Sequence, residues 1–555
     1  TGAVGVTVLV FSREFQPAVA TFMALGLMAT AYGVSSQGTS DLLWCVTLVG
    51  ATGLVLAVSE RSLMTWGVLV GLGSSLLVVI LSLMRVGQDD AVASLVRGTT
   101  GLAAAGLVWG LWRLTAHART TIEDPLQGDK PGGDPAVGWA LVSLGITLPM
   151  GEGLAWASVG ALVVTLAMAR CSEASRRVLP LFTFMTPLVV WFLSGALAIW
   201  LGGFGWLDPG ELGRWTPILL LPVVFLAACS AGEVWVARAA TAFVATLAVA
   251  ALIGIVQYVW GDTLVVWGRE TLGLALPIKG QLARPGSATE LVAGGFYGHR
   301  LKLAHVILVG LGVLGVRQIF SSMRFERRLG ELVFVFILVL ALGLTLARGA
   351  ILGAAAGLGL LCFLAPRLLR TVTLAGGTLL FAGLLSVEEF RARISSVLSQ
   401  GAVGDREVIW LTAAGVLEDS PVGVGLGNYS TLLTSLYQGF PQVERLPVEY
   451  AHSMVLSIWV EMGPVGLLAW TWFWWGLAGY CGDVVRAESR VRRMNSPTCM
   501  AAVIGLFVLI TFWVVGWTHD VLYHKPVAMV FFAVMGACLG VIRRGKSFNV
   551  PDGSK

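Results

Sequence analysis

The sequence predicts an all-α, multi-pass membrane protein of about 14–16 transmembrane helices, with one large, partly helical loop on the outward side. Three observations carry that expectation. Hydrophobic residues make up 56% of the 555-residue chain and charged residues only 12%, with a mean hydropathy of +0.82, whereas a soluble domain carries about 25% charge. The apolar residues fall in runs close to the roughly 20 needed to cross hydrocarbon. Arginine and lysine gather in the short connections between runs, which is an orientation signal rather than a nucleic-acid surface.

Taken in order, the expected spans are 17–34, 41–58, 62–84, 91–112, 136–150, 154–170, 179–200, 216–232 and 239–259. After a polar break come 301–316, 331–347, 349–365 and 371–387, and after a longer one 452–480, 498–517 and 526–542. The stretch 136–170 also reads as one broken element. Alternating these spans puts Arg317, Arg324, Arg327 and Arg328 on one side with Arg367 and Arg370, with Arg486, Arg490, Arg492 and Arg493, and with Arg543, Arg544 and Lys546. The positive-inside tendency makes that side cytoplasmic. Both termini are then cytoplasmic, and the polar segments near 260–300 and 388–450 face outward.

Five regions follow: 1–260, N-terminal helices without readable motifs; 261–300, an outer loop; 301–387, core helices; 388–450, the large outer loop; and 451–555, the C-terminal helices and tail. The chain opens on Thr1 rather than Met, so trimming is expected, and a multi-pass chain needs no cleavable signal. Seven cysteines lie in or beside apolar runs without paired spacing, so neither a disulfide framework nor a zinc site is expected.

The loop 388–450 holds eight acids against four arginines, a net of −4, as suits a translocated segment. Phe390, Ile394, Val397 and Leu398 recur at helical spacing, as do Trp410, Ala413, Ala414 and Leu417 after Asp405-Arg406. Pro421 ends the second helix, and the glycines of PVGVGLGNY (421–429) permit close backbone approach.

Chemistry concentrates at the outward ends of the spans. His452 opens the helix of PVEYAHSMVLSIWVEMGPVGLLAW (447–470), where an imidazole of pKa about 6.5 accepts a proton from a hydroxyl; the plainer role is a polar helix cap. Glu449, three residues earlier, is the candidate to hold the imidazole's other nitrogen. Glu461 lies two and a half turns away on the opposite face and reads as a packing residue. Arg348 in LTLARGAILG (344–353) is a charge between two apolar runs, costly enough to make function the default, with snorkelling to headgroups as the alternative. Its planar fork suits a diphosphate. Arg406 starts DREVIWLTAAGVLEDSP (405–421) between two acids, and a solvated ion pair would equally explain it. Arg284, His299, Arg300 and Lys302 precede the span that begins near 301, where cations also serve as simple anchors. Tyr429 and Tyr450 are candidates to contact sugars. With no DxD pair, HExxH or Walker loop in the sequence, a metal-dependent transferase or an ATPase is disfavoured. No metal site and no cofactor is expected.

Together, GGFYGHRLKLAHV, TLARGAILG, DREVIWLTAAGVLEDSPVGVGLGNY and AHSMVLSIWVEMGPVGLL resemble, in order, four segments of the O-antigen ligase and polymerase family of bacterial envelope proteins. The likeness covers roughly 284–470, with Ala347 where the family usually has serine and Ser453 where it commonly has asparagine. The resemblance implies a multi-pass protein of the bacterial inner membrane, active at its periplasmic face. It implies transfer of a glycan from undecaprenyl diphosphate to lipid A core, to another lipid-linked glycan or to protein. His452 would then be the general base, and Arg348 and Arg406 would hold the donor diphosphate. Two other classes remain open: a transporter or flippase of lipid-linked saccharides, and a non-catalytic envelope scaffold.

Overall fold

The computed structural model describes residues 133–169, 179–202, 213–260, 294–297, 299–321, 325–365, 406–430, 432, 450–491 and 494–548. In hydrocarbon a backbone N–H has no partner but its own helix, so the apolar runs become helices: α1 Pro135–Thr147, α2 Glu152–Met168, α3 Leu179–Gly202, α4 Leu220–Ala231, α5 Glu233–Trp260, α6 Arg300–Phe320, α7 Phe325–Leu344, α8 Arg348–Leu364, α9 Arg406–Asp419, α10 Met454–Arg490, α11 Pro497–Gly516 and α12 Lys525–Phe548. The protein is an all-α, multi-pass membrane protein. Five of these helices, α5, α6, α10, α11 and α12, are long and apolar enough to cross a membrane on their own.

The expected spans from 136–150 to 349–365, and the last three, coincide with helices. Those at 17–34, 41–58, 62–84, 91–112 and 371–387 lie outside the described residues, as does the amphipathic pattern at 390–398. The stretch 136–170 is two helices. The Asp134 carboxylate accepts from the Ala136 and Val137 amides at 2.8 and 3.3 Å to start α1, and a turn ending at Gly151, with φ 134°, starts α2.

Helix ends sort into two groups. At one end, a cluster of Val316, Phe320, Cys481, Val484, Cys499, Val541 and Ile542 gathers the C-termini of α6, α10 and α12 with the start of α11. Here Arg317 pairs with Glu331, and Arg544 donates to the Cys229 carbonyl at 2.9 Å, closing the end of α4. The sequence's arginine clusters, so far as they are described, sit at this end. At the opposite end the C-terminus of α5 meets the turn Gly295–Tyr297, through the Gly295 amide on Gln257 Oε1 at 2.8 Å. The starts of α6, α8 and α10 and the link between α11 and α12 lie there too.

A ladder of aromatic rings runs from the core to that second end. Trp191 of α3 stacks edge-on to Trp215 at 4.5 Å, Trp215 to Tyr523 at 4.8 Å, and Tyr523 lies 4.7 Å from Tyr450. The Arg214 guanidinium caps the ladder, 4.7 Å over the Tyr450 ring. Such edge-to-face pairs are each worth about 0.5–1.5 kcal/mol beyond their buried area. Rigidity is thereby delivered two residues before His452.

Helix α10 is broken inside. Gly463 has φ 67° and Pro464 follows it, so no amide is available to bridge the break. The break admits the glycine turn after α9: Val424 N donates to Val460 O at 2.9 Å and Gly425 N to Glu461 O at 2.8 Å. The close approach anticipated for PVGVGLGNY is an approach to α10. A β-carbon on Gly463 would collide with the Val422 carbonyl oxygen, in a backbone region that L-residues avoid. Gly463→Ala is therefore expected to cost about 2 kcal/mol or more, read as a lowered Tm of detergent-solubilised protein; an unchanged Tm would mean that α10 straightens without loss.

Candidate active site

The site is built from the turn outward. Between α11 and α12 the chain reads Trp517-Thr518-His519-Asp520-Val521-Leu522-Tyr523-His524, with a single 3-10 turn over Val521–Tyr523. Three other segments close on it.

The first is the start of α8. Leu346 takes a left-handed backbone, φ 53°, and Ala347 then caps the helix that Arg348 begins. A β-carbon on Gly349 would stand 2.6 Å from Thr518 Oγ1 and 2.7 Å from His519 Nδ1. The absence of a side chain at 349 is what seats this helix against the turn. The Arg348 side chain is half-buried at that junction.

The second is the start of α10. His452 also has a left-handed backbone, φ 50°, a conformation histidine adopts more readily than most residues. Ser453 caps the helix, its Oγ accepting from the Leu456 amide at 3.5 Å. The imidazole is open to solvent, at 42% of its side-chain surface, and its Nδ1 lies 3.9 Å from Asp520 Oδ2, within ion-pair range. Asp520 is held from behind by the Ser457 hydroxyl, which donates to Oδ1 at 2.6 Å. Ser457 Oγ in turn accepts the Ala451 amide at 3.2 Å. Helix α9 is tied to the same place, since Trp410 Nε1 donates to the Ala451 carbonyl at 3.0 Å. Trp410 is one turn beyond Arg406, so the Arg406 backbone begins a helix anchored beside His452.

The third is the start of α6. His299 caps it, Nδ1 accepting the Leu301 amide at 3.3 Å, and its ring lies 6.0 Å from that of His524. One turn on, His305 lies 5.8 Å from His519. All five histidines among the described residues thus reach this end of the protein. Burial, then the nearby Lys302 and Arg300 cations, lower the His299 pKa from 6.5 to about 4. Burial and the charges of His305, His299, Lys302 and Arg214 hold His524 well below the ordinary imidazole value. Both shifts favour the neutral imidazole within a cationic surround.

Among the sequence candidates, His452, Arg348, His299, Arg300 and Tyr450 are carried by segments meeting at the turn 517–524. Tyr429 is fully buried in a small cluster with Ala413, Val416, Val424, Ala451 and Val460. Tyr450 is 6% exposed, between Tyr523 and Arg214. Arg284 and Glu449 lie outside the described residues. Glu461 is structural: its carboxyl accepts from Gly427 N at 3.2 Å and Tyr523 Oη at 2.9 Å. Arg214, His519, Asp520, Tyr523 and His524 escape sequence reasoning. A turn between two spans holding two histidines, an aspartate and a tyrosine is the available signal for four of them.

Residues 333–471 match the family model described as O-antigen ligase. The match takes in Arg348, Arg406, Tyr429, Glu449, Tyr450 and His452, and stops short of both His299 and the turn 517–524. No curated protein matches the chain. The matched segment supports the O-antigen ligase and polymerase family, in agreement with the resemblance read from the sequence.

The depressed His299 gives this end a pH dependence. A histidine whose folded pKa lies below its unfolded value adds stability that is complete above the unfolded value, about 6.5, and disappears as pH falls through the folded one. Acidification from about pH 7 toward 4 is therefore expected to lower Tm, and His299→Gln to flatten part of that slope. An equally steep decline in the variant would remove His299 as its source.

Proposed function

We propose that this chain, whose core matches the O-antigen ligase family, is a metal-independent, inverting glycosyltransferase of the bacterial inner membrane. Its donor is a glycan on undecaprenyl diphosphate, its acceptor a sugar hydroxyl, and its working face the periplasmic one, with both termini cytoplasmic. What supports the reading is one juxtaposition: a solvent-open imidazole and the helix start that bears Arg348 meet the same turn, at the end of the bundle opposite the arginine clusters.

In the proposed reaction the acceptor hydroxyl gives its proton to His452 as its oxygen attacks the anomeric carbon. The new glycosidic C–O bond forms while the bond to the diphosphate oxygen breaks, and the electron pair leaves with undecaprenyl diphosphate. A diphosphate is a stable leaving group, so positioning, one base and fixed cations supply the catalysis. Arg348 and Arg406 stabilise the charge that grows on the departing phosphate oxygens. Arg300 adds positive charge beside the neutral His299. Arg284 is a further candidate to hold the donor, Glu449 to support His452 and Tyr450 to contact sugar, whereas Tyr429, fully buried among apolar side chains, packs the wall of the site instead of touching sugar.

The test is turnover of an undecaprenyl-diphosphate glycan by purified protein in the presence of chelator. His452→Ala is expected to reduce kcat by about 10²- to 10⁴-fold, the usual contribution of a general base, while donor binding survives. Arg348→Ala and Arg406→Ala are expected to weaken donor binding. Full activity in His452→Ala would eliminate it as the base, and unchanged affinity in both arginine variants would eliminate the clamp. Movement of intact lipid-linked saccharide across vesicles without transfer would favour a flippase. In cells, loss of all chains longer than one unit on gene deletion marks a polymerase, and long chains stranded on the carrier mark a ligase.

A further inference from the structure

The matched segment ends at residue 471, yet the carboxylate that faces His452 Nδ1 belongs to the turn 517–524, well beyond it. We infer that Asp520 is the positioning residue of His452, and that Ser457 is the post that holds Asp520 in place. The inference rests on the reading of His452 as a base, and its test separates the two.

The geometry is specific. Asp520 is 3% exposed, whereas His452 is 42% exposed, so one carboxylate oxygen stands 3.9 Å from Nδ1 on the protein side of a ring that is otherwise open. The other oxygen, Oδ1, takes the Ser457 hydroxyl at 2.6 Å. Ser457 stands one turn beyond Ser453 on α10, and it also accepts the amide of Ala451, the residue before His452. Ser457 therefore fixes both sides of the contact, the backbone that carries the imidazole and the carboxylate that faces it. A carboxylate at Nδ1 favours the tautomer with its proton there, which makes Nε2 the acceptor. When Nε2 takes the acceptor hydroxyl's proton, the imidazolium is formed beside a fixed, buried negative charge. Asp520 does not itself gain that proton; it holds the ring and favours the charge, the part played by the buried carboxylate of a hydrolase triad.

The experiment has two readouts. Asp520→Asn is expected to lower kcat about 10- to 100-fold, part of a general base's contribution, with donor KM unchanged. Ser457→Ala is expected to lower it less. The second readout does not need turnover. Carbethoxylation of His452 by diethyl pyrocarbonate, followed by peptide mass spectrometry at roughly pH 8 where a free imidazole is neutral, is expected to slow at least about twofold in Asp520→Asn as Nε2 loses basicity. Unchanged labelling overturns the inference whatever happens to kcat, because a fall in turnover alone would reflect general damage to the turn. Slowed labelling in a protein whose wild type transfers no glycan keeps the dyad and discards the transferase reading. If Asp520→Asn fails to fold, Ser457→Ala carries the labelling test: slowed labelling supports the dyad, and unchanged labelling overturns it.

Discussion

A single buried carboxyl group joins the pieces on which this end of the protein depends. Glu461, 1% exposed, takes the Gly427 amide with one oxygen and the Tyr523 hydroxyl with the other. Its backbone carbonyl takes the Gly425 amide. The turn after α9, the first half of α10 and the link before α12 are thus pinned to one residue. A polar group buried without a partner costs several kcal/mol in a medium that offers no water, so none of the three can leave while the others stay. Through Tyr523 the constraint reaches Asp520, and through the glycine turn it reaches α9 and Arg406. Glu461 sits too far along α10 to touch His452, and it governs the site by holding the walls.

That arrangement explains where the chain abandons helical backbone. The departures at 345–347, 420–427 and 450–453 lie at one end of the bundle, with the break at Gly463 facing the glycine turn. Irregular backbone at membrane depth survives only where protein or water satisfies its polar groups. Here it is satisfied by protein: Val424 and Gly425 amides on α10 carbonyls, Trp410 on the Ala451 carbonyl, Gln257 on the Gly295 amide. The opposite end closes a helix with arginine, as Arg544 does at the Cys229 carbonyl. One end is built for anchorage and the other for irregular, addressable surface.

How much of this is legible in the sequence follows from the range of each signal. Helices announce themselves through runs of apolar residues, so the existence and apolar middle of α5, α6, α10, α11 and α12 are readable, as is the stop of α9 before Pro421. Polar ends are not: α10 runs on to Arg490, ten residues past the apolar run. Side-chain partners are a different matter. Spacing along one helix points to Glu449 for His452 because three residues is the reach of a turn; the carboxylate that faces Nδ1 in the structure is 68 positions away. Arg214 stands over Tyr450 from a stretch that carries no motif, and the Trp191–Trp215–Tyr523–Tyr450 ladder links four distant segments. None of these pairings leaves a trace in periodicity. What the sequence does display is density: two histidines, an aspartate and a tyrosine within six residues of one short turn, a concentration that hydropathy averages away.

The two left-handed residues share a pattern that bears on why the base and one cation come to the same place. Leu346 precedes Arg348 by two positions, and His452 precedes the first residue of α10 by two. In each case a left-handed residue is followed by an extended cap and then by the helix. Each left-handed L-residue costs about 1–2 kcal/mol, and the cost is met by what the reversal allows. Leu346 is almost wholly buried, so the bend turns an apolar side chain inward as Arg348 begins the next helix. At His452 the bend does the opposite: Ala451 and Ser453 are buried on either side while the imidazole between them stays open. The same local distortion thus hides a leucine in one segment and presents a histidine in the other. Both helix starts abut the turn that carries His519 and Asp520. Strain of this kind persists only where the surroundings over-determine it, and the surroundings here are the serine, the aspartate and the glutamate that tie the turn to α10.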